Sequence, residues 1–298
     1  MILHKKLMRR HIRRRIFYER LTEPLHLNVI SVFVALFGSF RQKVAYDLVL
    51  RHSHAFSLLK AADQAKWHGL PAVSVIEFGV AAGAGLMNIC ILAQKVSTLT
   101  GVDIQVYGFD TGKGMPAHRD YRDHPEYYRE GDFPSDFVAL KTRLPANGHL
   151  VLGELGLTAP QFVKDKLTGQ APIGYAVVDV DYYSSTVDAL KLFDGPPQCY
   201  LPMVGIYLDD IDFEGHNPYA GELLAINEFN EQHQFRKICR YEFLECSRIF
   251  RKAAWLKHMF TLHVMDHPIR QNKAKGPPHF LENPYLRSTS ARSSDLSP

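Results

Sequence analysis

Four short segments carry carboxylates where they can act together. Glu77 lies two residues before the small-residue segment Gly79-Val80-Ala81-Ala82-Gly83-Ala84-Gly85. Asp110 ends the run Val106-Tyr107-Gly108-Phe109-Asp110, 27 residues after Gly83. Asp179 and Asp181 close Val177-Val178-Asp179-Val180-Asp181, and Asp209 and Asp210 follow Tyr207-Leu208. Each type suggests a chemistry. Small residues at a strand-to-helix turn let a ligand approach the backbone, and the helix start attracts negative charge. The spacing is Gly-x-x-x-Gly-x-Gly, which is not the dinucleotide fingerprint Gly-x-Gly-x-x-Gly. A carboxylate at Glu77 suits the ammonium of an amino-acid moiety and repels a pyrophosphate. An acid ending the second strand, as Asp110 would, accepts hydrogen bonds from both hydroxyls of a ribose. Three or four acids meeting at strand ends repel one another unless a cation neutralises them, and oxygen-only ligands select a hard ion such as Mg²⁺. A plainer reading stands beside each: a tight αβ turn, a loop acid capping a turn, and helix caps or solvated loop acids.

These residues need a frame that brings the ends of separate strands together. Short apolar runs at Val73–Phe78, Ile104–Phe109, His149–Leu152, Ile173–Val180 and Val204–Leu208 alternate with helix-like stretches near 85–97, 158–168, 183–193 and 219–233. Near-continuous β-branched runs separated by helices indicate a parallel sheet covered on both faces. The expected fold is therefore α/β, a doubly wound Rossmann-like sheet of about seven mostly parallel strands with helices on both faces. Arg236–Phe243, Ser247–Arg251 and Phe260–Val264 supply candidate last strands, with an antiparallel hairpin among them. Residues 41–69 read as one helix preceding the first strand, ended by Gly69 and Pro71. The division expected is a basic, helical N-terminal extension over 1–70, a ligand-binding domain over 71–269, and a polar, disordered tail over 270–298.

Composition narrows the partners. The net charge of +4 is uneven: residues 1–20 balance to +7, which leaves the rest of the chain at −3. A nearly neutral body offers no basic surface for a duplex, so nucleic acid is excluded as a partner. The four cysteines, Cys90, Cys199, Cys239 and Cys246, form no Cys-x-x-Cys pair and suit reduced core thiols of a cytoplasmic protein. Val29–Gly38 is an apolar run too short to span a bilayer, which takes about 20 residues. With the basic residues before it, it reads either as a solvated helix leading into a core helix or as a segment resting on an anionic membrane surface. The fifteen histidines are scattered; His216 and Glu214 follow Asp209-Asp210 closely enough to face the same site. The loop 117–134, with Tyr121, Tyr127, Tyr128 and Arg129, reads as a lid or as a packed surface excursion.

The combination Glu77-Phe-Gly-Val, Tyr107-Gly-Phe-Asp110-Thr-Gly-Lys-Gly-Met-Pro116, Asp179-Val-Asp181-Tyr-Tyr-Ser-Ser-Thr186 and Leu208-Asp209-Asp210 resembles the macrocin-type (TylF/MycF-like) O-methyltransferases. The resemblance covers roughly residues 72–235. It implies a class I methyltransferase that uses S-adenosylmethionine and Mg²⁺ to methylate a hydroxyl of a sugar or another natural-product-like small molecule. On its motifs, Glu77, Gly79, Ala81 and Gly83 line the methionine end of the cofactor and Asp110 holds the ribose. Asp179, Asp209 and Asp210 match the metal ligands and Asp181 the general base, while Ser185 and Thr186 read as helix-start residues. Ala81 stands at the position of a middle glycine, which a negative φ would allow. Other outcomes compatible with the fold are a nucleoside-binding or membrane-associated scaffold and a related metal-dependent hydroxylase. A homo-oligomer and a peripheral place at the inner membrane surface are compatible with the chain as well.

Overall fold

The computed structural model describes residues 10–212 and 217–271. The readings of Glu214 and His216, of the first nine residues of the basic stretch 1–20, and of the tail from 272 onward lie outside them. Seven strands form one sheet: β1 (Ala72–Phe78), β2 (Asp103–Asp110), β3 (Gly148–Leu152), β4 (Ile173–Val178), β5 (Tyr200–Leu208), β6 (Arg236–Arg240) and β7 (Met259–Val264). Their order is β3-β2-β1-β4-β5-β7-β6. The β3, β2, β1, β4 and β5 neighbours run parallel, and β7 is antiparallel to both β5 and β6. This is the doubly wound α/β sheet expected from the alternating pattern. Its order reverses between β1 and β4, the switch point at which such sheets bind ligands.

Strand parity divides the core and already aims the acids. Side chains two apart share a face. Val73 and Val75 of β1, Ile104 and Val106 of β2, and Tyr175 and Val177 of β4 pack under α4 (His52–Trp67) and α5 (Ala84–Thr100), against Leu58, Leu86 and Ile89. Ile76, Phe78, Phe109, Val178, Ile206 and Leu208 face the other way, toward α7 (Leu155–Asp165), α8 (Tyr183–Leu190) and α9 (Gly221–Gln232). Glu77, Asp110, Asp179 and Asp209 continue the parity of the α4/α5 face. One side of the sheet therefore receives four carboxylates at its C-terminal edge.

The N-terminal region differs from the single helix expected over 41–69. Helix α3 (Phe40–Ala45) stops, and α4 begins only at His52. Asp47 and Arg51, both at φ 50°, break the run. The cause is tertiary: the Asp47 carboxylate accepts from Arg248 Nη2 at 2.6 Å and from Trp255 Nε1 at 3.3 Å, a buried pair that no continuous helix would permit. The strand expected over Ser247–Arg251 does not form: Ser247 ends the short α10 (Leu244–Ser247), and residues 248–251 bend so that Arg248 reaches Asp47. Ahead of this, α1 (Arg10–Leu21) and α2 (Leu25–Phe37) lie outside the core, and α2 buries none of its residues. Leu25, Phe33, Leu36 and Phe37 are each more than 60% exposed, an apolar surface that a monomer rarely leaves open. No helix among the described residues is long and apolar enough to cross a membrane. Cys90 and Cys199 are core thiols, whereas Cys239 and Cys246 are exposed, because the outer strand β6 and the α10 turn face solvent.

Candidate active site

The ends of β1, β4 and β5 are held side by side beyond the strands proper. Asp179 N–H donates to Phe78 O at 3.0 Å and Asp209 N–H to Val178 O at 3.1 Å, so each acid is pinned to its neighbouring strand by backbone. Gly79 N–H donates likewise to Phe109 O at 2.9 Å. Gly79 has φ +82°, and a Cβ there would stand 1.7 Å from the Asp179 carbonyl oxygen. Only glycine lets the loop after β1 lie that close to β4. Gly83 (φ +79°) caps α5 and admits Leu140 of α6 (Phe137–Arg143), a helix not foreseen from the sequence.

Asp110 takes a part the sequence did not reveal. Its Oδ2 accepts from the N–H groups of Val80 at 2.9 Å and Ala81 at 3.0 Å, and its Oδ1 from Gly112 N–H at 2.8 Å. The acid ties the β1 and β2 loops into one unit. Ala81 carries φ +43°, not the negative value expected for an alanine at a glycine position. The two bonds to Asp110 hold it in the left-handed region, which normally costs an alanine about 1–2 kcal/mol.

Asp179, Asp209 and Asp210 each offer an oxygen such that the three atoms lie within 4.8 Å of one another. Asp181 is next to them at φ +58°, its own N–H donating to Asp210 Oδ2 at 3.2 Å. Burial raises the carboxyls of Asp179 and Asp210 well above the usual carboxylate range; repulsion from Asp209 and Asp181 adds to it at Asp179, and repulsion from Asp181, Asp179 and Asp209 at Asp210. Asp181 is raised too, mainly by burial, while hydrogen bonds from Tyr128 and the Asp210 side hold it back. Oxygen-only donors this close, destabilised by their own charge, fit a hard divalent cation. A left-handed aspartate beside them is backbone strain of the kind that clusters at functional sites.

Three further groups lie by these acids: Glu222 and His258, which sequence reasoning did not single out, and Tyr128, named there only within the 117–134 loop. Glu222, at the start of α9, is fully buried with neither oxygen hydrogen-bonded. Burial drives its carboxyl well above the usual range, reinforced by Asp210, Asp179, Asp209 and Asp181. Nothing in its local sequence, Tyr219-Ala220-Gly221-Glu222, distinguishes it from an ordinary first-turn helix acid. Tyr128 reaches from the 117–134 loop to donate to Asp181. That loop is packed rather than free-standing: Asp123 is fully buried and accepts from Ser184 N–H at 2.7 Å and Ser184 Oγ at 2.9 Å. His258, buried immediately before β7, is bonded through Nδ1 to Leu208 O at 2.7 Å and faces Asp212 at 3.1 Å. Glu77 is 2% exposed, with Oε2 unpaired, and its carboxyl is pushed well above the usual range by burial and then by Asp179.

No protein-family model matches the chain, and no curated protein matches it. Among solved structures, it is similar to the calicheamicin methyltransferase CalS11 at 18% identity and a TM-score of 0.48, over 81% of this chain and 92% of that one. It is similar to a cmcI-N160 structure with SAH at 13% identity and a TM-score of 0.32, over 68% and 73%. An rRNA methylase from Streptococcus thermophilus aligns at 12% identity and a TM-score of 0.35, over 73% of this chain and 99% of that one.

Proposed function

We propose that the chain is an S-adenosylmethionine-dependent methyltransferase of the class I type, TylF/MycF-like in its motifs, transferring a methyl group to a hydroxyl of a small sugar-like or natural-product-like acceptor. One observation carries this reading. The carboxylates of Glu77, Asp110, Asp179 and Asp209 lie on one face of the sheet's C-terminal edge, with Asp210 and Asp181 next to Asp179 and Asp209, at the switch point, beside a turn with glycines in left-handed conformations. A nucleotide phosphate would meet repulsion from most of these groups. A cationic sulfonium with an ammonium beside it would meet attraction.

When bound, S-adenosylmethionine supplies a sulfonium methyl whose transfer to a hydroxyl oxygen leaves a neutral thioether and one proton to be removed. Asp181 is the residue assigned to take that proton. Its raised carboxyl brings it nearer neutral pH, where a general base works best, and Tyr128 and Asp210 fix its orientation. Asp179, Asp209 and Asp210 would hold Mg²⁺, which when bound supplies Lewis-acid neutralisation and acidifies an acceptor hydroxyl. Asp110 holds the Val80-Ala81 turn and Gly79 the β1–β4 approach, so that the turn stands ready to receive the nucleoside. The basic helix α1 and the open apolar helix α2 suit peripheral contact with an anionic membrane, within the same reading.

The test is direct. Titration calorimetry with S-adenosylhomocysteine is expected to show micromolar binding, and incubation with S-adenosylmethionine, Mg²⁺ and panels of hydroxylated acceptors a product heavier by one methylene. A protein that binds neither the cofactor nor its demethylated product does not have this function.

A further inference from the structure

The turn between α1 and α2 closes one side of a cavity of about 500 Å³. Glu23, Pro24 and Leu27 line it from the turn, and Cys246, Arg248 and Arg251 from α10 and the residues after it. The two walls are pinned together. Lys252 N–H donates to Glu23 Oε1 at 2.7 Å, and Lys252 Nζ donates to Thr22 O at 3.0 Å. Among the described lining residues, two arginines stand against a single acid, and that acid already accepts a backbone bond.

Beside the cavity the cations outnumber their partners. Arg248 is 8% exposed; its Nη2 donates to Val44 O at 2.8 Å, Ala45 O at 3.0 Å and Asp47 Oδ1 at 2.6 Å, while its Nε is buried without a partner. Arg20 lies over the Phe250 ring and donates through Nη2 to Tyr46 O at 2.6 Å, and its Nη1 is likewise buried and unbonded. Both guanidiniums lean on one carboxylate, Asp47, and Arg248 opposes the charge of Arg20. Arg251 is exposed and, among the described residues, forms no salt bridge. Buried donors without acceptors are costly, and an anion in the cavity offsets the surplus positive charge around them.

The helix that starts at the cavity's rim says what kind of anion. α2 has no Lys, Arg, Asp or Glu among its 13 residues. Leu25, Val29, Val32 and Leu36 follow one helical stripe, and with Phe33 and Phe37 they are all more than half exposed. The helix is about 20 Å long, enough to lie in a bilayer interface and too short to cross it. Charge points the same way: residues 1–20 carry +7 and the rest of the chain −3, so the N-terminal arm and not the body is drawn to an anionic surface. A free phosphate would fill the cavity and leave the apolar stripe bare, whereas a phospholipid covers both.

We propose that this cavity is a headgroup site for a single anionic phospholipid, whose phosphate meets Arg248 and Arg251 while its acyl chains lie along α2. The ligand class is a glycerophospholipid with a net negative headgroup. This rests on the peripheral membrane contact read above from α1 and α2, to which it adds a site of defined stoichiometry, and it is independent of methyl transfer.

Calorimetry on the full chain with dihexanoylphosphatidylglycerol below its micelle concentration tests it, because a monomeric lipid presents no charged surface to attract α1 as a whole. One lipid per chain should bind saturably. Arg251→Gln is expected to weaken that binding by about tenfold or more, and Arg14→Gln, which removes an exposed cation of α1 outside the cavity, by less than about twofold. Glycerophosphoglycerol, the same diester without chains, should bind wild type at least about tenfold more weakly than the lipid, a comparison that needs no variant to fold. No saturable binding of the lipid, equal losses in the two variants, or a chainless diester bound as tightly as the lipid each overturns the proposal, the last by making the cavity a site for free phosphate esters. A wild type that sediments with phosphatidylglycerol vesicles and does not bind the monomeric lipid keeps the membrane contact and loses the headgroup site. One that does neither loses both.

Discussion

Gly79→Ala is the perturbation whose cost the geometry defines most closely. An alanine at position 79 would inherit φ +82°, which costs an L-residue about 1–2 kcal/mol. Its Cβ would also fall 1.7 Å from the Asp179 carbonyl oxygen and 2.7 Å from the carbonyl carbon. Both are backbone atoms of a residue tied to Phe78 by its own N–H, so no side-chain rotation relieves the clash and the strands must separate. Overpacking of this kind costs about 1–3 kcal/mol, for a total near 2–5 kcal/mol. Gly69→Ala is the matched control: φ is +69° there, and nothing lies within 4 Å of the built Cβ, so only the conformational cost applies. For a domain of this size, about 2–4 °C of melting temperature is lost per kcal/mol. Thermal unfolding should therefore place Gly79→Ala roughly 4–20 °C below wild type and Gly69→Ala about 2–8 °C below. If Gly79→Ala melts no lower than Gly69→Ala, the close approach of β1 to Asp179 is not what the glycine serves.

Three other outcomes are expected. The buried, unpartnered carboxyl of Glu222 titrates above its unfolded value of about 4.5, so the native state binds the extra proton and loses stability as pH rises past that value. Glu222→Gln should then be more stable than wild type in urea unfolding, by a margin absent near pH 4 that grows toward pH 8; a margin independent of pH would contradict the burial. Mg²⁺ should raise the melting temperature of wild type and not that of Asp209→Asn, which should still bind S-adenosylhomocysteine but lose turnover. Full activity of that variant in chelator would remove the metal from the mechanism. Finally, sedimentation with phosphatidylglycerol-containing vesicles should carry down wild type at low salt and leave Phe33→Glu in solution, the exposed Phe33 being replaceable without harm to the core. Equal sedimentation of the two would dissociate α2 from any membrane contact.

What the residues determined alone was the alternation of elements and the ends of the strands. Near-continuous apolar runs marked the strands and where they end, so Glu77, Asp179 and Asp209 were legible from the sequence as strand-end acids. Local chemistry did not reach further. The break between α3 and α4 follows from Asp47 meeting Arg248 and Trp255, partners about 200 residues away in the chain, and helical periodicity over 41–69 carries no trace of them. Ala81 took a positive φ because Asp110, from the next strand, accepts its N–H. Glu222 joined the acids only through the docking of α9 on the sheet. Spacing along a chain encodes the direction a side chain takes within its own element. Whether a charge ends buried, paired or alone depends on the elements packed against it, and so the unpaired states of Glu77 and Glu222 became visible only in the folded molecule.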